Sequence, residues 1–232
     1  MSAFTKKLAA VAEAQFNQFH WYHEGDQPLR GQIGRYWSEN NWAIQPVSTA
    51  WSAAFVSWCV RKAGALPTEF RFDPMHSTFV YDAIRTPRAY RGVDFNALPI
   101  EVGDILQNNR DGQSFDFAHA QAHPSYTSHS AIVIEVGADS GGPYALTVGG
   151  NEADSVGRKL VRLTSAGKVK PRANSPVRSS SPARMVRAPA TPCWPRARSA
   201  RSSSPPRTAR RPGGAWARAR LARSSSLRRP RP

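Results

Sequence analysis

Residues 46–64 read PVSTAWSAAFVSWCVRKAG, and they predict a helix at the centre of the protein. Ser48 and Thr49 have side chains that can cap the start of such a helix, and Gly64 is suited to end it. The apolar residues between them lie on nearly every face of the helix rather than on one stripe. This pattern is typical of a helix that is buried among other elements.

Segments typical of β-strands follow this helix along the chain. The strongest is SAIVIEV, residues 130–136, an almost unbroken run of apolar, mostly β-branched residues. Three weaker strand segments cover residues 103–107, 144–148 and 159–163. Two further helices are predicted over residues 6–19 and 76–84, and a long surface loop over residues 24–42. Because helices precede strands, the predicted fold class is α+β, with the central helix packed on an antiparallel sheet.

Charge divides the chain into two parts. Residues 1–167 contain 14 of the Lys and Arg residues and all 16 Asp and Glu residues, for a net charge of −2. Residues 168–232 contain the other 18 Lys and Arg residues and no acid, so they account for the formal charge of +16. Arg, Ser, Pro and Ala dominate this second part, which cannot bury enough apolar surface to offset the entropy of ordering. We therefore predict a folded domain over residues 1–167 and a disordered basic tail over residues 168–232.

Three interpretations of the tail stay open. A frameshift in a GC-rich gene is favoured, because misread GC-rich codons yield Arg, Ala, Pro and Ser, and because acids are absent. A genuine disordered tail is the second interpretation. The third is a flexible polycation that binds nucleic acid through phosphate contacts. Under the frameshift interpretation, the strand and turn RKLVRLTSAGKV, residues 158–169, would lack a partner strand, and the domain would be truncated at this edge.

Metal and cofactor sites are not indicated by the sequence. His119 and His123 lie in HAQAH, but Ala120 stands where a zinc protease has Glu, and Pro124 follows directly. The segment is therefore interpreted as a loop, and no metal or cofactor is predicted.

The cysteines and the apolar segments of the sequence indicate in which cellular compartment the protein is expected. Cys59 and Cys193 stand far apart, so no disulfide framework is predicted, and Cys59 is interpreted as a buried structural residue. No membrane span or signal peptide is recognisable, and the default expectation is a cytoplasmic protein. The sequence does not indicate an oligomeric state.

Three polar residues lie where the predicted elements would bring them together. Ser52 is in the first turn of the central helix, His129 begins the strongest strand, and Asn151 follows the next strand. A nucleophile needs a positioned base, the base needs an orienting partner, and the first turn of a helix offers N–H groups to a developing oxyanion. Each residue also has a structural interpretation: a cap for Ser52, a hydrogen-bonded strand-end histidine for His129, and a turn residue for Asn151.

Three sequence segments around these residues, WSAAFVSWCVRKAG, SHSAIVIEV and VGGNEADSVG, carry a family resemblance. The region from Gln15 to Leu163 resembles an uncharacterised bacterial domain family, DUF2272, in the superfamily of NlpC-type and CHAP amidases and peptidases. The resemblance implies a papain-like fold. It also implies that Ser52 is the nucleophile in the position usually held by Cys, with His129 as the base and Asn151 as its orienting partner.

The function that this resemblance implies is hydrolysis of amide or ester bonds, with peptidoglycan peptides as the substrate class. A hydroxyl in place of a thiol is harder to activate, because a thiol near pKa 8.5 loses its proton more readily than serine does. One alternative is therefore a catalytically inactive papain-fold module that binds its ligand without turnover. A second alternative, from a different class, is nucleic-acid binding through the basic tail.

Overall fold

The computed structural model describes residues 2–170 and 183–187, which form five α-helices and six β-strands. The helices are α1 Ala3–Phe19, α2 Leu29–Ser38, α3 Ser52–Ala63, α4 His76–Arg85 and α5 Phe117–Ala122. The strands are β1 Tyr90–Val93, β2 Ile105–Asn109, β3 Ser128–Asp139, β4 Gly142–Glu152, β5 Ser155–Arg162 and β6 Ala183–Arg187.

All six strands belong to one sheet, in the order β1-β6-β2-β3-β4-β5, and every neighbouring pair is antiparallel. The four predicted strand segments are confirmed as β2 to β5, each with longer or shifted ends. The mixed α+β fold class is confirmed as well. Helix α3 packs against β3 and β4, and its start lies close to Gly150, near the end of β4.

Helix α3 is buried on nearly every side, as its composition predicts. Phe55, Val56 and Val60 are fully buried in the main hydrophobic core together with Cys59, which is a free thiol. Gly64 ends the helix in the left-handed conformation, with φ of 107°, as expected for a glycine cap.

The start of α3 differs from the prediction. Ser48 and Thr49 lie in an exposed turn before the helix, in which the Thr49 N–H donates to the carbonyl of Pro46. Trp51 occupies the cap position, and no side chain accepts a hydrogen bond there. The prediction placed the cap too early because two cap-competent residues preceded the apolar run, whereas burial of Trp51 and Ser52 sets where the helix begins.

Two segments predicted as loops contain helices. Residues 24–42 include α2, whose Leu29, Ile33 and Tyr36 are fully buried in the main core. The HAQAH segment forms the short helix α5, because the Asp116 carboxylate accepts from the third N–H and caps it. Tertiary burial and this cap outweigh the Gly, Asn and Pro residues on which the loop predictions depended.

Strand β6 lies within residues 168–232, the region that the sequence predicts to be a disordered tail. Met185 of this strand pairs with Gly92 of β1 on one side and with Ile105 of β2 on the other, so β6 lies between these two strands. The side chain of Met185 is 1% exposed. Composition predicted disorder for the whole region, but here buried Met185 and Val186 secure a five-residue strand. The other tail predictions fall on residues 171–182 and 188–232, which lie outside the described residues.

The strand and turn at residues 158–169 form a tight hairpin at the other edge of the sheet. Leu163 pairs with Val169 in an antiparallel bridge, and the Lys170 N–H donates to the carbonyl of Arg162. Leu163 also belongs to a second, smaller apolar cluster. Among the helices of the described residues, none is long and apolar enough to cross a membrane.

Candidate functional site

Ser52 is the first residue of α3, and its side chain points into the protein. The residue is 3% exposed, and its Oγ lies 2.7 Å from Nε2 of His76, the first residue of α4. The helix starts therefore bring a hydroxyl and an imidazole together. This contact joins residues 24 positions apart, so it depends on how the fold brings the first residues of α3 and α4 together rather than on local sequence.

The imidazole of His76 is held in its neutral form. Burial is the main cause that lowers its pKa well below 6.5, and the nearby His129 and Arg110 lower it further. A neutral imidazole can accept a proton from the Ser52 hydroxyl through Nε2. The other ring nitrogen, Nδ1, is buried and has no hydrogen-bond partner among the described residues.

His129 is the second residue of β3 and forms a separate hydrogen bond. Its Nε2 lies 2.7 Å from Oε1 of Glu152, the last residue of β4. Its Nδ1 is buried and, within the described part of the chain, also lacks a partner. The rings of His129 and His76 are in edge contact, with centroids 5.4 Å apart and planes 62° apart. We call Ser52, His76, His129 and Glu152 together the histidine cluster.

Glu152 supplies the negative charge of the histidine cluster. Burial alone would raise its pKa, but the hydrogen bond and charge of His129, together with those of Lys159, outweigh burial and lower the pKa to about 2. Lys159 Nζ donates to the second carboxylate oxygen. Glu152 is therefore ionised throughout the neutral range and fixes the orientation of the His129 ring.

Asn151 lies one residue from Glu152 but has a different place in the structure. Its φ of 54° puts it in the left-handed region, and a register shift between Gly149 and Glu152 accompanies this turn. The shift directs Glu152 toward His129. The structure thus brings Ser52 and His129 together through His76. Asn151 lies at the turn beside the cluster, and its neighbour Glu152 binds the ring of His129.

A cavity of about 610 Å³ lies next to the histidine cluster, over strands β2 to β5. His129, Asn151 and Glu152 line it, whereas Ser52 and His76 are not among its described lining residues. The volume is typical of sites that bind small ligands or short peptide segments. Within residues 2–170 and 183–187, no group of three or more His, Cys, Asp or Glu residues could hold a metal ion.

Two members of the histidine cluster, Glu152 and His76, were not predicted from the sequence. The sequence carried a signal for one of them and none for the other. Glu152 lies in the quoted segment VGGNEADSVG, and an ionised carboxylate is a stronger partner for imidazole than a carboxamide. That chemical difference was available to select Glu152 over Asn151. His76 carried no such signal, because its role depends on a tertiary contact between two helix starts.

Comparison with known proteins identifies one family. The family described as "Uncharacterized protein conserved in bacteria (DUF2272)" matches residues 19–187, a range that includes the histidine cluster and ends with β6. Neither the curated proteins nor the solved structures include a match to this chain. Because the matched range covers well over half of the 232 residues, the protein belongs to the DUF2272 family.

Proposed function

We propose that the protein is a hydrolase of amide or ester bonds in which Ser52 is the nucleophile. One observation carries this proposal: the Ser52 Oγ lies 2.7 Å from Nε2 of a buried, neutral His76 at the start of a central helix. A serine becomes nucleophilic when a base takes its proton during attack, and a neutral imidazole at hydrogen-bonding distance is such a base.

The proposed reaction proceeds through an acyl-enzyme. Ser52 Oγ bonds to the substrate carbonyl carbon while its proton moves to His76 Nε2. The C–N or C–O bond of the substrate then breaks, and His76 returns the proton to the leaving group. Water attacks the acyl-enzyme in the second half of the reaction, with His76 again taking the proton, and this step releases the acid product and restores the Ser52 hydroxyl.

The His129–Glu152 pair packs against His76. The ring of His129 lies in edge contact with His76, and Glu152 is hydrogen-bonded to Nε2 of His129. Because the charge of His129 lowers the pKa of His76 rather than raising it, the pair does not make His76 a stronger base. We infer that His129 and Glu152 act as positioning residues that hold the His76 ring against Ser52.

The start of α3 offers the second requirement of acyl transfer, which is stabilisation of the oxyanion. The first N–H groups of a helix lack partners within the helix, and the helix dipole favours negative charge at that end. No side chain caps α3 at Trp51, so a side-chain acceptor does not compete for these groups. An oxyanion formed on the Ser52 adduct would lie beside them.

Peptidoglycan peptides are the substrate class that we propose, on the strength of the resemblance to NlpC-type and CHAP enzymes in the segments around Ser52, His129 and Asn151. The family match itself names no activity. The substrate therefore depends on the resemblance, whereas the nucleophile and base depend on the geometry of the histidine cluster.

Labelling by a fluorophosphonate probe tests the nucleophile. We expect the full chain to form a covalent adduct that Ser52→Ala abolishes and that His76→Ala slows by about 100-fold or more. Ser48→Ala is the matched control, because Ser48 is exposed and lies four residues before Ser52. Labelling that persists in Ser52→Ala, or that disappears in Ser48→Ala, would refute the assignment.

A second candidate function is a ligand-binding module without turnover. The observation that favours it is the exposure of Ser52, which is only 3%, together with a cavity lined by His129 and Glu152 but not by Ser52. This function predicts binding of purified peptidoglycan that Ser52→Ala leaves unchanged, with no release of soluble fragments by the wild-type chain. Release of fragments that depends on Ser52 would decide for the hydrolase.

A further inference from the structure

The cavity beside the histidine cluster is lined by more positive than negative charge. Four cationic residues line it, Arg110, Lys159, Arg162 and Lys170, whereas Glu152 is the single acid among its described lining residues. These cations come from three separate places: the end of β2, strand β5 and the hairpin that follows β5. The positive charge is thus a property of the assembled cavity rather than of one charged segment.

Two of the four cations are balanced by acids, and two are open to a ligand. Arg162 Nη1 lies 2.6 Å from Asp139, and Lys159 is bonded to Glu152. Within the described part of the chain, the ion pair of Arg110 is a loose, exposed contact of 3.8 Å with its neighbour Asp111, which water screens strongly. Lys170 forms no ion pair with any residue that the structure describes.

One residue of the cavity lining has a buried nitrogen atom without a hydrogen-bond partner. His129 is 8% exposed, lines the cavity, and leaves its Nδ1 without a partner among the described residues. A buried imidazole nitrogen without a partner costs free energy that a ligand group can recover by forming the missing hydrogen bond. The positive charge therefore favours an anionic ligand, and the unpartnered nitrogen favours one that also carries a hydrogen-bonding group.

The remaining lining determines which kind of anion fits. Leu106, Ala131 and Val161 provide an aliphatic surface between the cations, and His129 provides the single aromatic ring of the described lining. Single-stranded nucleic acids are usually held by stacking on several aromatic rings, which this cavity does not offer. A peptide combines apolar or aliphatic segments with carboxylates and matches both features.

Charge in the cavity favours an acidic occupant. The chain that follows Lys170 has the sequence PRANSPVRSSSP over residues 171–182, with two Arg residues and no acid. A cationic lining attracts a ligand of opposite charge more strongly than one of this basic composition. The occupant that the charges favour is therefore an acidic ligand.

We propose that this cavity binds a peptide that carries carboxylates, with Arg110 and Lys170 as the residues that recognise them. The proposal rests on the proposed hydrolase function and specifies its substrate as a peptide whose carboxylates are held beside His129. The bond to be cleaved would lie outside this cavity, because Ser52 is not among its described lining residues. Arg110 also influences the pKa of His76, so a carboxylate bound at Arg110 would lie within electrostatic reach of the histidine cluster.

Calorimetric binding of tetraglutamate to the full chain tests this proposal, with Ser52→Ala as the background so that hydrolysis does not interfere. We expect the double variant Arg110→Gln/Lys170→Gln to weaken binding at least about tenfold, as expected for loss of charge-assisted hydrogen bonds. The charge-retaining variant Arg110→Lys/Lys170→Arg should bind within a few-fold of its parent. The matched control is Lys7→Gln/Arg30→Gln, which removes one exposed Lys and one exposed Arg outside the cavity and should change nothing.

Four results would overturn the proposal. Equal weakening by the control variant, or no weakening by the cavity variant, would assign binding to the general positive charge of the chain. Equal affinity for tetraglutamine would show that carboxylates are not recognised. Displacement of tetraglutamate by an equal concentration of inorganic phosphate would indicate a simple anion site. If any of these occurs while fluorophosphonate still labels Ser52, only the substrate assignment fails.

Discussion

The contact between Glu152 and His129 makes the stability of the fold depend on pH, and the direction of that dependence follows from the pKa of Glu152. The pKa of Glu152 is lowered from 4.5 to about 2 in the folded protein. A carboxyl whose folded pKa is lowered stabilises the fold above its unfolded pKa, and that contribution is lost as pH falls through the folded value. The contribution is therefore complete at neutral pH and disappears between about pH 4.5 and pH 2.

Glu152→Gln is expected to remove this contribution while keeping the size of the side chain. We expect the variant to be less stable than wild type by about 1–3 kcal/mol at pH 7, with the difference shrinking toward zero near pH 2. Urea unfolding at several pH values measures it. Glu13→Gln, at an exposed position of α1, is the control and should show no such dependence. A difference that stays constant from pH 7 to pH 2 would contradict the charge interpretation.

His76 gives a second pH dependence at higher pH. Its folded pKa lies well below 6.5 because of burial, His129 and Arg110. The unfolded chain therefore takes up a proton near pH 6.5 that the folded chain does not, so stability falls as pH drops below that value. Lowering the pH from 7.5 to 5 should reduce the thermal midpoint of the wild-type protein. We expect a clearly smaller reduction in His76→Gln. His23→Gln, an exposed histidine, should retain the wild-type slope.

These residues show what sequence reasoning could and could not obtain about the site. Ser52 and His129 were found because a helix start and a strand start can be located from local patterns. Asn151 was predicted as the partner of His129, whereas Glu152 forms the hydrogen bond to that ring after the register shift between Gly149 and Glu152. Strand ends and turn conformations are difficult to place within one residue from sequence. His76 became evident only from the contact between the first residues of α3 and α4.

At the scale of elements, α3 and β4 approach each other most closely at Gly150. A Cβ added at this residue would lie 2.6 Å from Cβ of Phe55 and 2.7 Å from Cζ3 of Trp51. Both are fully buried, so neither has space to withdraw. The absence of a side chain at Gly150 lets the start of the central helix lie against the strand that ends in Glu152.

Gly150→Ala is therefore expected to destabilise the protein by about 1–3 kcal/mol and to separate the two halves of the site. The separation should appear as slower fluorophosphonate labelling of Ser52 at temperatures where the variant is still folded. Gly25→Ala is the control, because an added Cβ there meets no atom within 4 Å. Unchanged stability and labelling in Gly150→Ala would show that helix and strand adjust to each other more freely than this contact implies.

A comparison of the helices and strands shows which sequence patterns were sufficient to predict an element. Helix α3 and strand β3 were predicted because their apolar residues form long, unbroken patterns that few alternative structures could bury. Helix α2 was missed because two Gly and several polar residues hide its buried positions, which only tertiary packing fills. Strand β6 was missed because composition is averaged over a region, whereas a strand needs only a few residues with the right partners.

At the scale of the whole molecule, β6 joins two parts of the sheet that would otherwise not touch. It pairs with β1 on one side and β2 on the other. Its last residue, Arg187, also contacts the ring of Phe4 and donates a hydrogen bond to Glu69. The family match also ends at residue 187, so the similarity to the family extends through this strand.

Truncation after Arg187 and truncation after Gly167 should therefore have opposite outcomes. A chain that ends at Arg187 keeps every strand of the described sheet, and we expect a cooperative thermal transition near that of the full chain. A chain that ends at Gly167 loses β6 and the buried Met185. We expect it to lose at least about 3 kcal/mol, or roughly 6–12 °C in Tm, because loss of one buried Met side chain alone costs about 2–5 kcal/mol.

The point variant Met185→Ala in the full chain measures the contribution of β6 to stability apart from that of the other residues that the truncation removes. Because Met185 is 1% exposed and pairs with Gly92 and Ile105, its truncation should reproduce a large part of the loss without shortening the chain. Equal stability of Met185→Ala, the chain ending at Gly167 and the full chain would show that β6 is not part of the folded unit. The domain would then end at the hairpin after β5, as the charge boundary in the sequence predicts, and β1 would have no partner among the other described strands.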